Sequence, residues 1–119
     1  MIPGGDALDA AVNTRGAFAE AILRGIGAPM STSNMQAMMA WMTGENTRAA
    51  FNPLATTRKG FAGATDFNTA GVKNFKDFEQ GVAATLETLN LSYYTDIVTA
   101  LQQGTNPVEL QSLVRDSPW

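Results

Sequence analysis

Between residues 45 and 72 the helical rhythm of this sequence stops, and that interruption constrains the fold more than any other feature. The stretch ENTRAAFNPLATTRKGFAGATDFNTAGV is rich in Asn, Thr, Gly and Ala, with few apolar residues at regular spacing. It reads as a loop with room for a short hairpin. Loops of this length in small domains are uncommon, and are usually either functional or disordered. Four apolar residues punctuate it, Phe51, Leu54, Phe61 and Phe67. They could pin it to the body, which favours order.

On either side the apolar residues return with helical spacing. Over 6–26, Leu8, Ala11, Val12, Ala19, Ile22, Leu23 and Ile26 share one face, which predicts an amphipathic helix. Arg15 falls on its apolar side and Gly16 follows, so a kink or break is expected there. Gly27-Ala28-Pro29 ends the element, and Ser31-Thr32-Ser33 supplies N-cap oxygens for the next. That second helix, over 34–43, carries Met35, Met38, Met39 and Met42 at i, i+3, i+4 and i+7, a stripe suited to filling a core. After the loop, Phe75, Phe78, Val82, Leu86 and Leu89 mark a third helix with Asn74 as its cap, expected to be the central core helix. Its Gly81 would let another backbone approach. Tyr94, Ile97, Val98 and Leu101 form a fourth stripe that stops at Gly104. Asn106-Pro107-Val108-Glu109 combines an N-cap, a proline at the first helical position and a capping-box Glu, opening a last helix through Leu110, Leu113 and Val114. The expectation is a mainly α domain over residues 1–119, with about five helices and one long ordered loop after the second.

Composition removes whole classes of chemistry. With no cysteine and no histidine, disulfides, thiolate or imidazole metal sites and histidine-assisted nucleophiles are excluded. No metal and no cofactor is expected. Eight basic against 11 acidic residues give a formal charge of −3, which argues against nucleic acid as a partner, because phosphate neutralisation supplies most of such affinity. No apolar run approaches the roughly 20 residues that span a bilayer. The opening Met-Ile-Pro-Gly-Gly-Asp lacks the basic and apolar parts of a secretory signal, so a chain made without a signal peptide is expected.

What remains is carboxylate chemistry, and Glu45 is its best candidate. Continuing the second helix, Trp41 and Glu45 project about 40° apart, so the carboxylate could lie against an indole and a sulfur-rich surface. Burial there would raise its pKa, as a general acid requires. The plainer role is a solvated helix end paired with Arg48.

The segments that follow carry a resemblance. "GENTRAAFNPLATT", then "TDFNTAGVKNF", then "FKDFEQGVAATLETL" resemble, in that order, the acid, loop and supporting-helix segments of lysozyme-like peptidoglycan glycosidases, particularly the goose-type and lytic transglycosylase group. More narrowly, the set looks like the lysozyme-like domains of bacteriophage virion and tail proteins, over about residues 20–119. Asn46 stands where those enzymes usually carry Ser or another small residue.

The resemblance implies a lysozyme-like fold and cleavage of the β-1,4 link between the amino sugars of peptidoglycan, in a virion protein made in the bacterial cytoplasm. It implies Glu45 as the general acid and Asn52, Thr57, Phe67, Asn68 and Tyr94 as substrate-binding residues, with Phe51, Asn52, Pro53 and Thr57 shaping the loop. Glycan strands and other virion proteins would be the partners. Asp66 is the convenient second carboxylate, with a turn residue as its alternative role. Two other readings stay open: a non-catalytic tail, connector or capsid component that keeps the fold, and an unrelated small helical interaction domain. Should the protein work in an assembly, Trp119 and the hydrophobic first helix are candidate contact surfaces.

Overall fold

A computed structural model describes the backbone of residues 3–119 and the side chains of residues 14–119. Among them are five helices: α1 (Pro3–Gly25), α2 (Thr32–Glu45), α3 (Phe78–Leu89), α4 (Thr95–Gln103) and α5 (Pro107–Arg115). A 3-10 turn, Ser92–Tyr94, leads into α4. Two short strands, β1 (Thr65–Asp66) and β2 (Lys73–Asn74), pair antiparallel with Thr65 opposite Asn74 and Asp66 opposite Lys73. The fold is mainly α, with the long loop and its small hairpin placed after α2 as expected. None of the helices is long and apolar enough to cross a membrane.

The expected break in α1 is absent: the helix runs through Arg15 and Gly16 without interruption. One glycine costs only about 1 kcal/mol in a helix interior. Burial of Phe18, Ala19, Ile22 and Leu23 just beyond it exceeds that cost, at roughly 1.5–3 kcal/mol for each large apolar side chain. The expected contributions of Leu8, Ala11 and Val12 lie outside the described residues.

The central helix is α2, not α3. It packs on both α1 and α5 and places Met38, Trp41 and Met42 in the core, while Met35 and Met39 pack on its edge. In α3 the buried positions are Gly81, Ala84, Thr85, Thr88 and Leu89, mostly small residues that let other segments come close. Gly81 shows how close: an added Cβ would lie 1.9 Å from the Phe51 carbonyl oxygen.

Caps set the helix starts. Ser31 accepts from Asn34 N–H at 3.2 Å, and Asn106 accepts from Glu109 N–H at 2.9 Å, both as the sequence suggested. The Glu109 carboxylate, however, accepts from the Thr105 hydroxyl and does not close a reciprocal capping box. For α3 the cap is Asp77, which accepts from Gln80 N–H at 2.8 Å, and not Asn74. Asn74 lies in β2, where its carbonyl oxygen accepts from Ala50 N–H at 2.9 Å.

Of the four loop anchors, two hold. Leu54 is fully buried, and Phe61 stands edge-on to Phe75 at 5.9 Å. Phe51 and Phe67 stay more than 40 % exposed.

Candidate functional site

Glu45 is the last residue of α2, and the chain leaves the helix immediately after it. Asn46 takes the left-handed conformation, φ 46°, and its N–H donates to Met42 O at 3.1 Å. Asparagine tolerates that geometry better than most side chains. The arrangement holds Glu45 one turn beyond Trp41, whose indole N–H donates to Glu45 Oε1 at 3.3 Å. Partial burial pushes the Glu45 carboxyl above its ordinary value, and the weaker opposing effect of the Trp41 hydrogen bond does not cancel it. The ion pair expected with Arg48 does not form: among the described residues the ion pairs are Arg58 with Glu87 and Lys73 with Asp66.

An aromatic row continues from Trp41. Its ring meets Trp119 edge-on at 4.8 Å, and Trp119 meets Tyr94 at 5.0 Å. The Trp119 indole N–H donates to Leu54 O at 2.8 Å. Trp119, expected as an exposed contact residue, is therefore packed inward between α2, the loop and the turn before α4.

The loop is built around Asn52, whose side chain is completely buried. Its amide nitrogen donates to Thr56 O at 2.9 Å and Lys73 O at 2.8 Å, and its oxygen accepts from Thr56 N–H at 2.9 Å. Asn52 thus fastens the loop to β2. It is a loop-shaping residue with no exposed polar atom to offer a ligand, so the substrate contact implied for it is not what its side chain does. Thr56 extends the same fastening to α3 through a 2.6 Å hydrogen bond with Thr88, and Arg58 reaches Glu87 on the same helix.

Beside this fastening runs a groove. One cavity of about 100 Å³ is lined by Ala55, Thr56, Thr57, Thr88, Tyr94 and Trp119 together with Pro118. An adjoining one of about 510 Å³ is lined by Thr57, Arg58, Lys59, Gly60, Thr88, Leu91 and Tyr94. Thr57, Thr88 and Tyr94 belong to both, which makes them two parts of one depression. Its far end is basic and its near end is aromatic. Tyr94 is raised in pKa by burial and by Tyr93 beside it, so its hydroxyl keeps its proton at neutral pH.

Two of the candidate residues, Thr57 and Tyr94, therefore meet in the groove. Glu45 lines neither cavity; it is linked to the aromatic end through Trp41, its hydrogen-bond partner, whose ring packs on Trp119. Phe67 and Asn68 occupy the hairpin tip, where Asn68 Oδ1 accepts from Val72 N–H at 3.1 Å, and they line neither cavity. The tip borders the groove through Gly71, where an added Cβ would be 3.9 Å from the Thr57 side chain. Asp66 is committed to Lys73 across the hairpin, which holds its carboxyl below the ordinary value. That is the turn role and not the role of a second acid.

No family model matches this chain, and no curated protein or solved structure does. Sequence reasoning missed Trp119, Thr88 and Leu91 as neighbours of the site. Thr88 lies one helical turn beyond Ala84, whose carbonyl its hydroxyl also reaches at 2.8 Å; a buried threonine so placed has no local signal. Trp119 had one, because a tryptophan beside a proline near the end of an otherwise polar segment is costly to leave exposed.

Proposed function

We propose that the protein is a virion-associated peptidoglycan glycosidase of bacteriophage type, cleaving the β-1,4 link between amino sugars with Glu45 as general acid. The observation that carries this reading is the environment of Glu45. A carboxyl at a helix end is hydrogen-bonded by an indole and raised in pKa by burial, and that indole packs on Trp119, which lines the aromatic end of a groove lined by hydroxyls. A raised pKa keeps such a group protonated closer to working pH, where it can give its proton to a glycosidic oxygen. Aromatic faces such as Tyr94 and Trp119 suit the apolar faces of sugar rings, and Thr57 suits their hydroxyls. With Asp66 held by Lys73, the attacking group would come from the substrate, either its N-acetyl oxygen or its 6-hydroxyl, which removes the need for a second carboxylate.

The test is direct. Purified protein should clear a turbid suspension of bacterial cell walls, and Glu45→Gln should abolish clearing. Absence of clearing by the wild-type protein at every pH between about 4 and 8 would overturn the catalytic reading.

One observation favours a second reading, a non-catalytic virion component that keeps the groove. Glu45 lines neither cavity, so a glycan could occupy the groove without meeting the acid. Sedimentation of the protein with purified cell walls, without release of soluble fragments, would distinguish this reading from the first.

A further inference from the structure

A third cavity, of about 320 Å³, lies away from the groove, between α1 and the segment 47–53. That volume falls in the range of about 300–1,000 Å³ typical of small-ligand sites. Phe18, Phe51, Pro53 and Phe78 give it apolar walls, and Arg15 and Arg48 also line it. Neither arginine forms an ion pair among the described residues. Two cationic side chains thus line one apolar pocket without a carboxylate partner among the described residues. An anion bound in the pocket would supply the missing counter-charge.

Phe51 adds a second, independent observation. It is 44 % exposed and its φ is +53°, a conformation that costs an L side chain roughly 1–2 kcal/mol. The surroundings enforce it: Gly81 packs against its carbonyl, and its neighbour Ala50 is held from both sides, by Asn74 Oδ1 on its N–H and by Phe75 N–H on its carbonyl. A bulky aromatic is thereby held in a strained conformation at the cavity wall without being buried. Strain of this kind persists only where the surroundings enforce it, and it clusters at ligand sites.

We propose that this cavity binds the C-terminal carboxylate of a peptide whose last side chain is apolar. Arg15 and Arg48 take the carboxylate, because planar guanidinium donors match its two oxygens. Phe51, Phe18 and Phe78 receive the terminal side chain. Apolar walls alone would accept any apolar residue; the arginine pair requires that it end in a free acid.

The experiment is an amide NMR titration of the full chain with N-acetyl-alanyl-leucine, run beside the same dipeptide as its C-terminal amide. The acid is expected to shift the resonances of Arg15, Phe18, Arg48, Phe51 and Phe78 and to bind at least about tenfold more tightly than the amide. Arg15→Gln and Arg48→Gln should each weaken the acid by about tenfold and leave the amide unchanged. Phe51→Ala should weaken both ligands while keeping the preference for the acid. Unperturbed resonances outside the cavity show that each variant remains folded. Equal binding of acid and amide, shifts confined to the Thr57–Tyr94 groove, or no shift up to about 10 mM ligand would each overturn the proposal.

Discussion

The helical body and the loop-and-hairpin segment that follows α2 are each fastened by one completely buried asparagine, and they use it differently. In the body, Asn34 donates to Pro29 O and to Leu101 O, both at 2.8 Å, and accepts from Thr105 N–H at 2.9 Å. It joins the start of α2 to the end of α4, where it adds a second donor to Leu101 O, which also accepts from Gly104 N–H at 3.2 Å. The body already has a continuous apolar core of Phe18, Ile22, Leu23, Met38, Met42, Ile97, Leu101 and Leu110. The loop has Leu54 and Phe75 fully or nearly buried and little else. There Asn52 and the Thr56–Thr88 pair do with hydrogen bonds what the body does with apolar surface. A segment held this way keeps its polar groups near the surface, where a groove can use them, but it depends on a few contacts.

The largest test of that dependence is Gly81→Ala. The new methyl would meet the Phe51 carbonyl oxygen at 1.9 Å, so α3 and the loop must separate. We expect a loss of about 3 kcal/mol or more, read by chemical denaturation, and fast amide exchange over 49–56. A neutral result would show that the loop does not rest on α3.

The two asparagines come next. Asn34→Ala and Asn52→Ala each remove three hydrogen bonds made by a completely buried side chain, and each should cost about 2–4 kcal/mol. The comparison lies in where the cost is felt. Asn34→Ala should lower the global unfolding free energy, with exchange rising throughout the helices. Asn52→Ala should raise exchange over 50–75 first and leave α1, α2 and α5 protected, because few other contacts hold that segment. Indistinguishable exchange patterns would mean that body and loop unfold as one unit.

How much of each region was legible in the sequence follows from the same difference. The body was readable because its determinants are local: Asn106-Pro107 placed α5, Ser31 started α2, and the methionine spacing marked the buried side of α2. The loop's determinants are not local. Asn52 stands in an Asn-Pro turn like many others, and its role is set by Lys73 O, 21 residues further on. Asn74 and Asp77 are both plausible caps, and only the pairing of β2 decides between them. For the site, Glu45, Thr57 and Tyr94 were legible as residues. The insertion of Trp119 between Glu45's indole partner and Tyr94 was not, since nothing near residue 119 points to residue 41.

A smaller test returns to the loop backbone. Ala55 has φ +58°, where glycine is at ease and alanine is not. Ala55→Gly should therefore stabilise the protein, by up to about 1 kcal/mol after the added freedom of the unfolded chain is counted. Thermal denaturation reads the change. A clear loss of stability would mean that the Ala55 methyl packs well enough to outweigh its strain.

The smallest effect is expected where the two regions join, at Glu45. Its folded pKa lies above the ordinary 4.5, so the folded state favours the protonated form. The stability this group contributes is fully present below the unfolded pKa and is lost as pH rises through the folded one. Glu45→Gln mimics the protonated form at every pH. It should therefore match the wild type near pH 4 and exceed it at pH 7, by less than about 1 kcal/mol because solvent screens a half-buried carboxylate. Denaturation curves of both proteins at the two pH values decide the matter. A gap that grows with pH shows that burial at the helix end costs the ionised acid stability, the property a general acid needs. A gap that stays constant shows a solvated helix end.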